Sequence, residues 1–88
     1  MNGAGVMRYQ NGDIFTGAFF DGRPSVGEII FKEMEESYIG EFKNGVYEGQ
    51  GIFKFFNGEI YNGGWKDGLM HGNGLFSYPD GSELFGQF

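Results

Sequence analysis

The chain has 88 residues, a net charge of −6 and no cysteine, so it holds one domain, with neither a disulfide framework nor a cysteine zinc site. The acidic balance argues against nucleic acid and against anionic lipid, since both need basic patches. Gly occurs 18 times, Pro only twice, and aromatics reach 19%, among them 11 Phe; this is neither collagen, nor a proline-rich linker, nor a disordered glycine tract.

From the N-terminus, MNGAGVMRYQ has no apolar run behind a basic stretch, so no signal peptide is expected. No segment approaches the length of a membrane span, and without cysteine the chain reads as intracellular. A strand carrying Met7 and Tyr9 on one face leads to Asn11-Gly12, the pair that favours a two-residue type I′ turn with positive φ at both positions. The next strand, in FTGAFFDG (15–22), puts Phe15, Gly17 and Phe19 on one face by the period of two and ends at a second such turn, Asp21-Gly22. A third strand, in GRPSVGEIIF, runs into KEMEES (32–37), and YIGEFKNGVYEGQG (38–51) then repeats the earlier pattern with its turn at Asn44-Gly45. GIFKF (51–55), Asn57-Gly58, YNGGWKDGLMHGNG (61–74), Phe76 and Tyr78, Asp80-Gly81 and LFGQF (84–88) continue it. Turns fall at alternating steps of 10 and 13, which predicts an antiparallel meander of hairpins.

The pattern is an internal repeat of 23 residues. Gly17, Gly40, Gly63 and Gly86 form one column, and Phe19, Phe42, Trp65 and Phe88 another. Phe15, Tyr38, Tyr61 and Leu84 form a third, and Gly22, Gly45 and Gly68 a fourth. Gly63 lies between Tyr61 and Trp65, where a side chain would hold the rings apart. Stacked copies are expected to build an aromatic ladder, each ring touching the same column in the next repeat.

The motif Tyr-x-Gly-x-Trp-x-x-Gly-x-x-x-Gly-x-Gly at 61–74 resembles the MORN repeat (membrane occupation and recognition nexus), and the resemblance extends over essentially the whole chain. It implies an all-β fold: a single-layer, curved antiparallel sheet of stacked hairpins, spanning 1–88 in copies 3–26, 27–48, 49–71 and a truncated 72–88. It also implies a groove lined by aromatics that receives a partner segment. There are departures: Phe replaces Trp in three copies, Leu84 replaces Tyr, and the second copy's Gly-x-Gly entry is reduced to Gly27. The pattern begins and stops in mid-repeat, which reads as a fragment or as a subunit capped by partners.

Chemical motifs are weak. Gly3-Ala-Gly5, Gly49-Gln-Gly51 and Gly72-Asn-Gly74 lie between strands and precede no Lys-Ser/Thr, so they read as bends rather than phosphate loops. His71 is the only histidine and has no ligand set around it. No serine is placed beside a base, and the Glu35-Glu36 pair sits in a hydrated loop. No catalytic, cofactor or metal residue is assigned, and the protein reads as non-enzymatic.

KEMEES marks the place where the repeat is altered. In register, Glu35 stands where Gly12, Gly58 and Gly81 stand, and Glu tolerates positive φ poorly. A missing residue near Val26-Gly27 and an extra one before Tyr38 offset each other. Sliding this strand by one turns Ile29 and Phe31 to the aromatic side and leaves a six-residue loop, 32–37. Glu33, Glu35 and Glu36 make that loop acidic; residues 28–41 hold five Glu against one Lys, so −4 of the net −6 lies there.

The expected function is a protein–protein scaffold whose groove is formed by Phe15, Phe19, Tyr38, Phe42, Tyr61, Trp65, Leu84 and Phe88. Inner rings serve as core and part of the rim receives a helical or extended segment, basic at its flanks. The alternative is an assembly module that self-associates through open sheet edges, in the cytoskeletal or ciliary complexes where the resembled family is common. Phospholipid binding, which the family name suggests, is disfavoured by charge.

Overall fold

The computed structural model describes residues 3–88, so of the expected array only its first two positions lie outside the described residues. All of its regular structure is strand: β1 (Gly3–Arg8), β2 (Ile14–Phe20), β3 (Arg23–Phe31), β4 (Glu36–Lys43), β5 (Val46–Lys54), β6 (Ile60–Lys66), β7 (Leu69–Ser77) and β8 (Glu83–Gln87). They form one antiparallel sheet in sequential order, an open layer of 41 × 26 × 17 Å. Each strand packs mainly on its sequence neighbours, the quasi-one-dimensional arrangement of repeat proteins.

The register explains the glycine column. Gly5, Gly17, Gly27, Gly40, Gly51, Gly63, Gly74 and Gly86 face one another across all eight strands. This row is a floor on which rings lie. A Cβ on Gly51 would land in the Tyr38 ring, and one on Gly74 in the Tyr61 ring. Phe15 covers Gly17 and Gly27 in the same way, its Cζ 3.1 and 2.9 Å from their Cβ positions. The tyrosine hydroxyls then reach past the floor. Tyr38 donates to the Glu41 carbonyl at 2.8 Å and Tyr61 to the Gly64 carbonyl at 2.9 Å, each three residues on. Phe15 has no hydroxyl, and the equivalent carbonyl, Ala18, accepts instead from the Ser25 hydroxyl at 3.2 Å.

Rings connect the copies, but not within one column as expected. Phe15 meets Phe42 at 5.4 Å, Tyr38 meets Trp65 at 5.4 Å and Tyr61 meets Phe88 at 5.2 Å, all nearly perpendicular. Within a copy, Phe15–Phe19, Tyr38–Phe42 and Tyr61–Trp65 make similar edge contacts at 5.3, 5.0 and 5.3 Å. The result is one zigzag: Phe19, Phe15, Phe42, Tyr38, Trp65, Tyr61, Phe88. The physical reason is that each Phe15-column ring lies down on its glycine floor, so it meets the Phe19-column rings of its own and the next copy rather than its own column. Such pairs add roughly 0.5–1.5 kcal/mol each beyond burial.

The turns differ at the two ends of the sheet. Asp21-Gly22, Asn44-Gly45 and Asp67-Gly68 have positive φ at both positions, the expected type I′ geometry. At Asn11-Gly12, Asn57-Gly58 and Asp80-Gly81 only the glycine does, so the two-residue expectation fails there. These are three-residue loops, each closed by a bond from the glycine N–H to the carbonyl three residues back, as in Gly58 to Phe55 at 3.1 Å. The side chain decides the outcome: Asn11, Asn57 and Asp80 accept from the backbone N–H two residues on, at 3.0, 3.0 and 2.9 Å. That bond uses the residue as a side-chain acceptor rather than as a left-handed linker.

The altered copy follows the expected slide. Ile29 pairs with Phe15 and Tyr38, and Phe31 stacks on Phe53. Elsewhere the strand after a type I′ turn carries two extra residues at a bulge, so that Gly40 faces Gly51 while Phe42 faces Tyr47. In β3 the bulge carries one, between the Ala18–Val26 and Phe19–Pro24 pairs. The missing residue reappears in the turn, but as a four-residue loop, 32–35, not six: Glu36 pairs with Phe31 and so belongs to β4. Glu35 takes φ 55°, against expectation, filling the left-handed position that glycine holds in the sister turns. That conformation costs a non-glycine residue roughly 1–2 kcal/mol. Glu35→Gly is expected to raise stability by about 0.5–1 kcal/mol, after the entropy cost of the glycine, as read from urea-unfolding midpoints.

Candidate partner-binding groove

The eight ring-column residues divide by burial. Phe15, Tyr38 and Tyr61 are fully buried, and Phe19 and Trp65 nearly so. Phe42 is half-buried, while Leu84 and Phe88 are exposed at the last strand. The buried five offer a partner almost no surface. What remains partly open is the layer above them: Ile29, Phe42, Tyr47, Phe53, Phe55, Met70 and Phe76 pack on the buried cluster and are themselves only partly buried. The sequence pattern placed Phe53, Phe55 and Phe76 on the continuing strands but in none of the four columns. Tyr47 escaped notice because it follows the type I′ turn, outside the columns. It lies flat on Tyr38, with centroids 4.0 Å apart and planes 17° apart.

These half-buried rings line a trough that crosses the strands. A cavity of about 450 Å³ is bounded by Tyr47, Phe53, Phe55, Trp65, Leu69 and Met70. A second of about 220 Å³, sharing Tyr47 and Gly68 with the first, extends it over Ile29, Phe31 and Val46. A third of about 340 Å³ shares Ile29 and reaches Tyr9 and Asp13. The trough wall holds exposed apolar groups, Leu69 at 71% exposure among them.

The trough is acidic along one side. Burial, followed by the nearby Glu36 and Asp13 carboxylates, pushes the Tyr47 hydroxyl up to about 12. Of the acidic segment, Glu33 and Glu35 are exposed at the loop tip, whereas Glu36 is half-buried on β4 and accepts from the Phe56 N–H at 3.4 Å. Burial also raises Tyr38 and Tyr61. A folded-state pKa above the unfolded one binds the proton more tightly in the native state. The resulting stability is complete below about pH 10 and is lost as pH rises beyond it. Alkaline unfolding starting near pH 10 is the expected result, followed by circular dichroism together with tyrosinate absorbance.

A single sheet of hairpins, with rings laid on a glycine floor and an apolar trough across the strands, defines a β-hairpin repeat module. The chain belongs to the MORN repeat family, whose model matches residues 1–14, 38–60 and 61–83. The unmatched stretch between the first two segments contains the shortened bulge and the lengthened turn. Over 84% of its length the chain is similar to alsin from Homo sapiens and Pan troglodytes at 35% identity, and to alsin from Rattus norvegicus at 32%. It spans about 5% of the length of those proteins. MORN repeats are non-enzymatic modules for interaction with proteins or membranes.

Proposed function

We propose that the chain is a protein-binding scaffold whose trough of half-buried rings receives a segment of another protein. The carrying observation is that the layer above the buried zigzag stays open on its outer side, although nothing but partner contact would cover it in a one-layer sheet. The acidic side of the trough disfavours anionic lipid as the occupant. A second reading is an assembly module of larger cytoskeletal or ciliary structures, in which strand pairing would extend the linear order from β1 to β8.

The trough reading is tested with Phe55→Ser combined with Leu69→Ser, residues that line the trough outside the buried zigzag. Proteins retained by the immobilised wild-type chain are expected to be lost, an effect of at least about tenfold for truncated apolar anchors. The melting temperature should fall by roughly 5–15 °C, because Phe55 is half-buried against Phe53 and Phe76, with the fold retained. Unchanged retention by a folded variant contradicts the trough reading.

A further inference from the structure

One rim of the trough carries a row that alternates aromatic and acidic residues from strand to strand. Phe31 pairs with Glu36, and Phe55 donates its N–H to the Glu59 carbonyl at 2.8 Å. Between neighbouring hairpins, Asp13 accepts from the Lys32 N–H at 3.2 Å and Glu36 from the Phe56 N–H at 3.4 Å. These bonds hold the two carboxylates beside the rings. Pro79 stands in the next equivalent position and has no N–H, so Glu59 is left without that bond. Phe31 and Phe55 also line the trough itself, and Glu36 and Glu59 stand opposite them on the neighbouring strands, on the same side of the sheet.

Resting on the trough reading above, we infer that the occupant is a basic segment in the polyproline II conformation, with Lys or Arg at every third position facing Asp13, Glu36 and Glu59. The charge follows from the rim: a cation there meets a ring on one side and a carboxylate on the other, as an isolated apolar groove would not provide. The conformation follows from spacing. The three carboxylates stand one repeat apart, and a repeat is two strands wide, about 9.4–9.8 Å. A β-strand places same-side residues at about 6.7 or 13.3 Å and misses every second rung. An α-helix brings residue i+7 back at about 10.5 Å, drifting by roughly 1 Å per repeat. Polyproline II returns to the same edge every three residues, at about 9.3 Å, and stays in step across all three rungs. Grooves lined by aromatic rings suit this conformation because it is pre-formed and loses little entropy on docking.

The test uses four synthetic peptides titrated into the 88-residue chain, with the fluorescence of Trp65, its only tryptophan and a trough residue, as the readout. One peptide is polyproline with Lys at every third position, and the second has Lys at every fourth. The third is an amphipathic helix with Lys at every seventh, and the last is the first peptide with Gln for Lys. The first is expected to bind at least about tenfold more tightly than each of the others, and to weaken steeply with salt. Glu36→Gln with Glu59→Gln, which keeps an acceptor for Phe56, is expected to remove most of that advantage and flatten the salt dependence. Equal binding of the two lysine spacings, or tighter binding of the helix, overturns the inference. If those peptides still lose affinity in the Phe55→Ser, Leu69→Ser variant, the trough reading stands. Absence of binding by the third-position peptide also overturns the inference. Binding indifferent to the Phe55→Ser, Leu69→Ser variant overturns both.

Discussion

Tyr61→Ala is expected to unfold the array or leave it barely folded. The ring is fully buried, covers Gly74 and approaches the Cβ position of Gly63 with its hydroxyl at 2.8 Å. It makes perpendicular contacts with Trp65 at 5.3 Å and Phe88 at 5.2 Å. Removing a buried aromatic typically costs about 3–5 kcal/mol. A small domain has a total stability near the low end of about 5–15 kcal/mol. The loss also uncovers Gly74, and it breaks the zigzag of rings between the third copy and the fourth, leaving the Phe55–Phe76 contact to link them. Tyr61→Phe separates the parts. It keeps the ring and loses only the 2.9 Å bond to the Gly64 carbonyl, for a cost of about 1 kcal/mol. Urea unfolding of the two variants measures both, and similar costs for Ala and Phe would contradict the role given to the ring.

Gly74→Ala is expected to cost about 3 kcal/mol, whereas Gly86→Ala in the same cross-strand row is expected to be nearly neutral. Neither residue has a positive φ, so no backbone strain enters. The difference is the ring. The three atoms that a Cβ on Gly74 would meet all belong to Tyr61, including its hydroxyl oxygen at 2.6 Å, while a Cβ on Gly86 meets nothing within 4 Å. In the last copy Leu84 stands where the tyrosine would be, so no ring lies on Gly86. Methyl addition at Gly74 lifts Tyr61 from its floor and displaces its contacts with Trp65 and Phe88. Gly51→Ala should behave like Gly74→Ala, because its Cβ falls within the Tyr38 ring. Thermal melts of the three variants give the comparison directly.

Period, strand order and the facing glycines were legible because each is a direct consequence of repetition: a column every 23 residues in a meander must become a row across the sheet. The slide in the altered copy was legible for the same reason, since Lys32 would otherwise have faced the rings. Turn geometry was less so. Asn-Gly satisfies both a type I′ turn and a glycine-closed three-residue loop. The choice rests on whether the asparagine oxygen finds the N–H two residues on, as Asn57 does with Glu59. The ring partners depend on the tilt of Tyr38 and Tyr61 onto their glycines, which column spacing does not encode. The trough was hidden for a related reason. Counting rings in columns marks Phe15, Tyr38 and Tyr61 first, yet these are the ones that packing consumes. Tyr47 and Met70, set by the bulged strands rather than by the columns, are what remains accessible.

Rings laid on a glycine row form the core and leave the second ring layer partly open. Proton NMR of the chain in solution tests it most directly. Strongly upfield Hα resonances are expected for Gly51 and Gly74, which lie beneath the Tyr38 and Tyr61 rings. Ring-to-ring contacts are expected for Phe15–Phe42, Tyr38–Trp65 and Tyr61–Phe88. Glycine Hα shifts at unstructured values, with ring contacts running instead from Phe15 to Tyr38 and from Tyr38 to Tyr61, would contradict it.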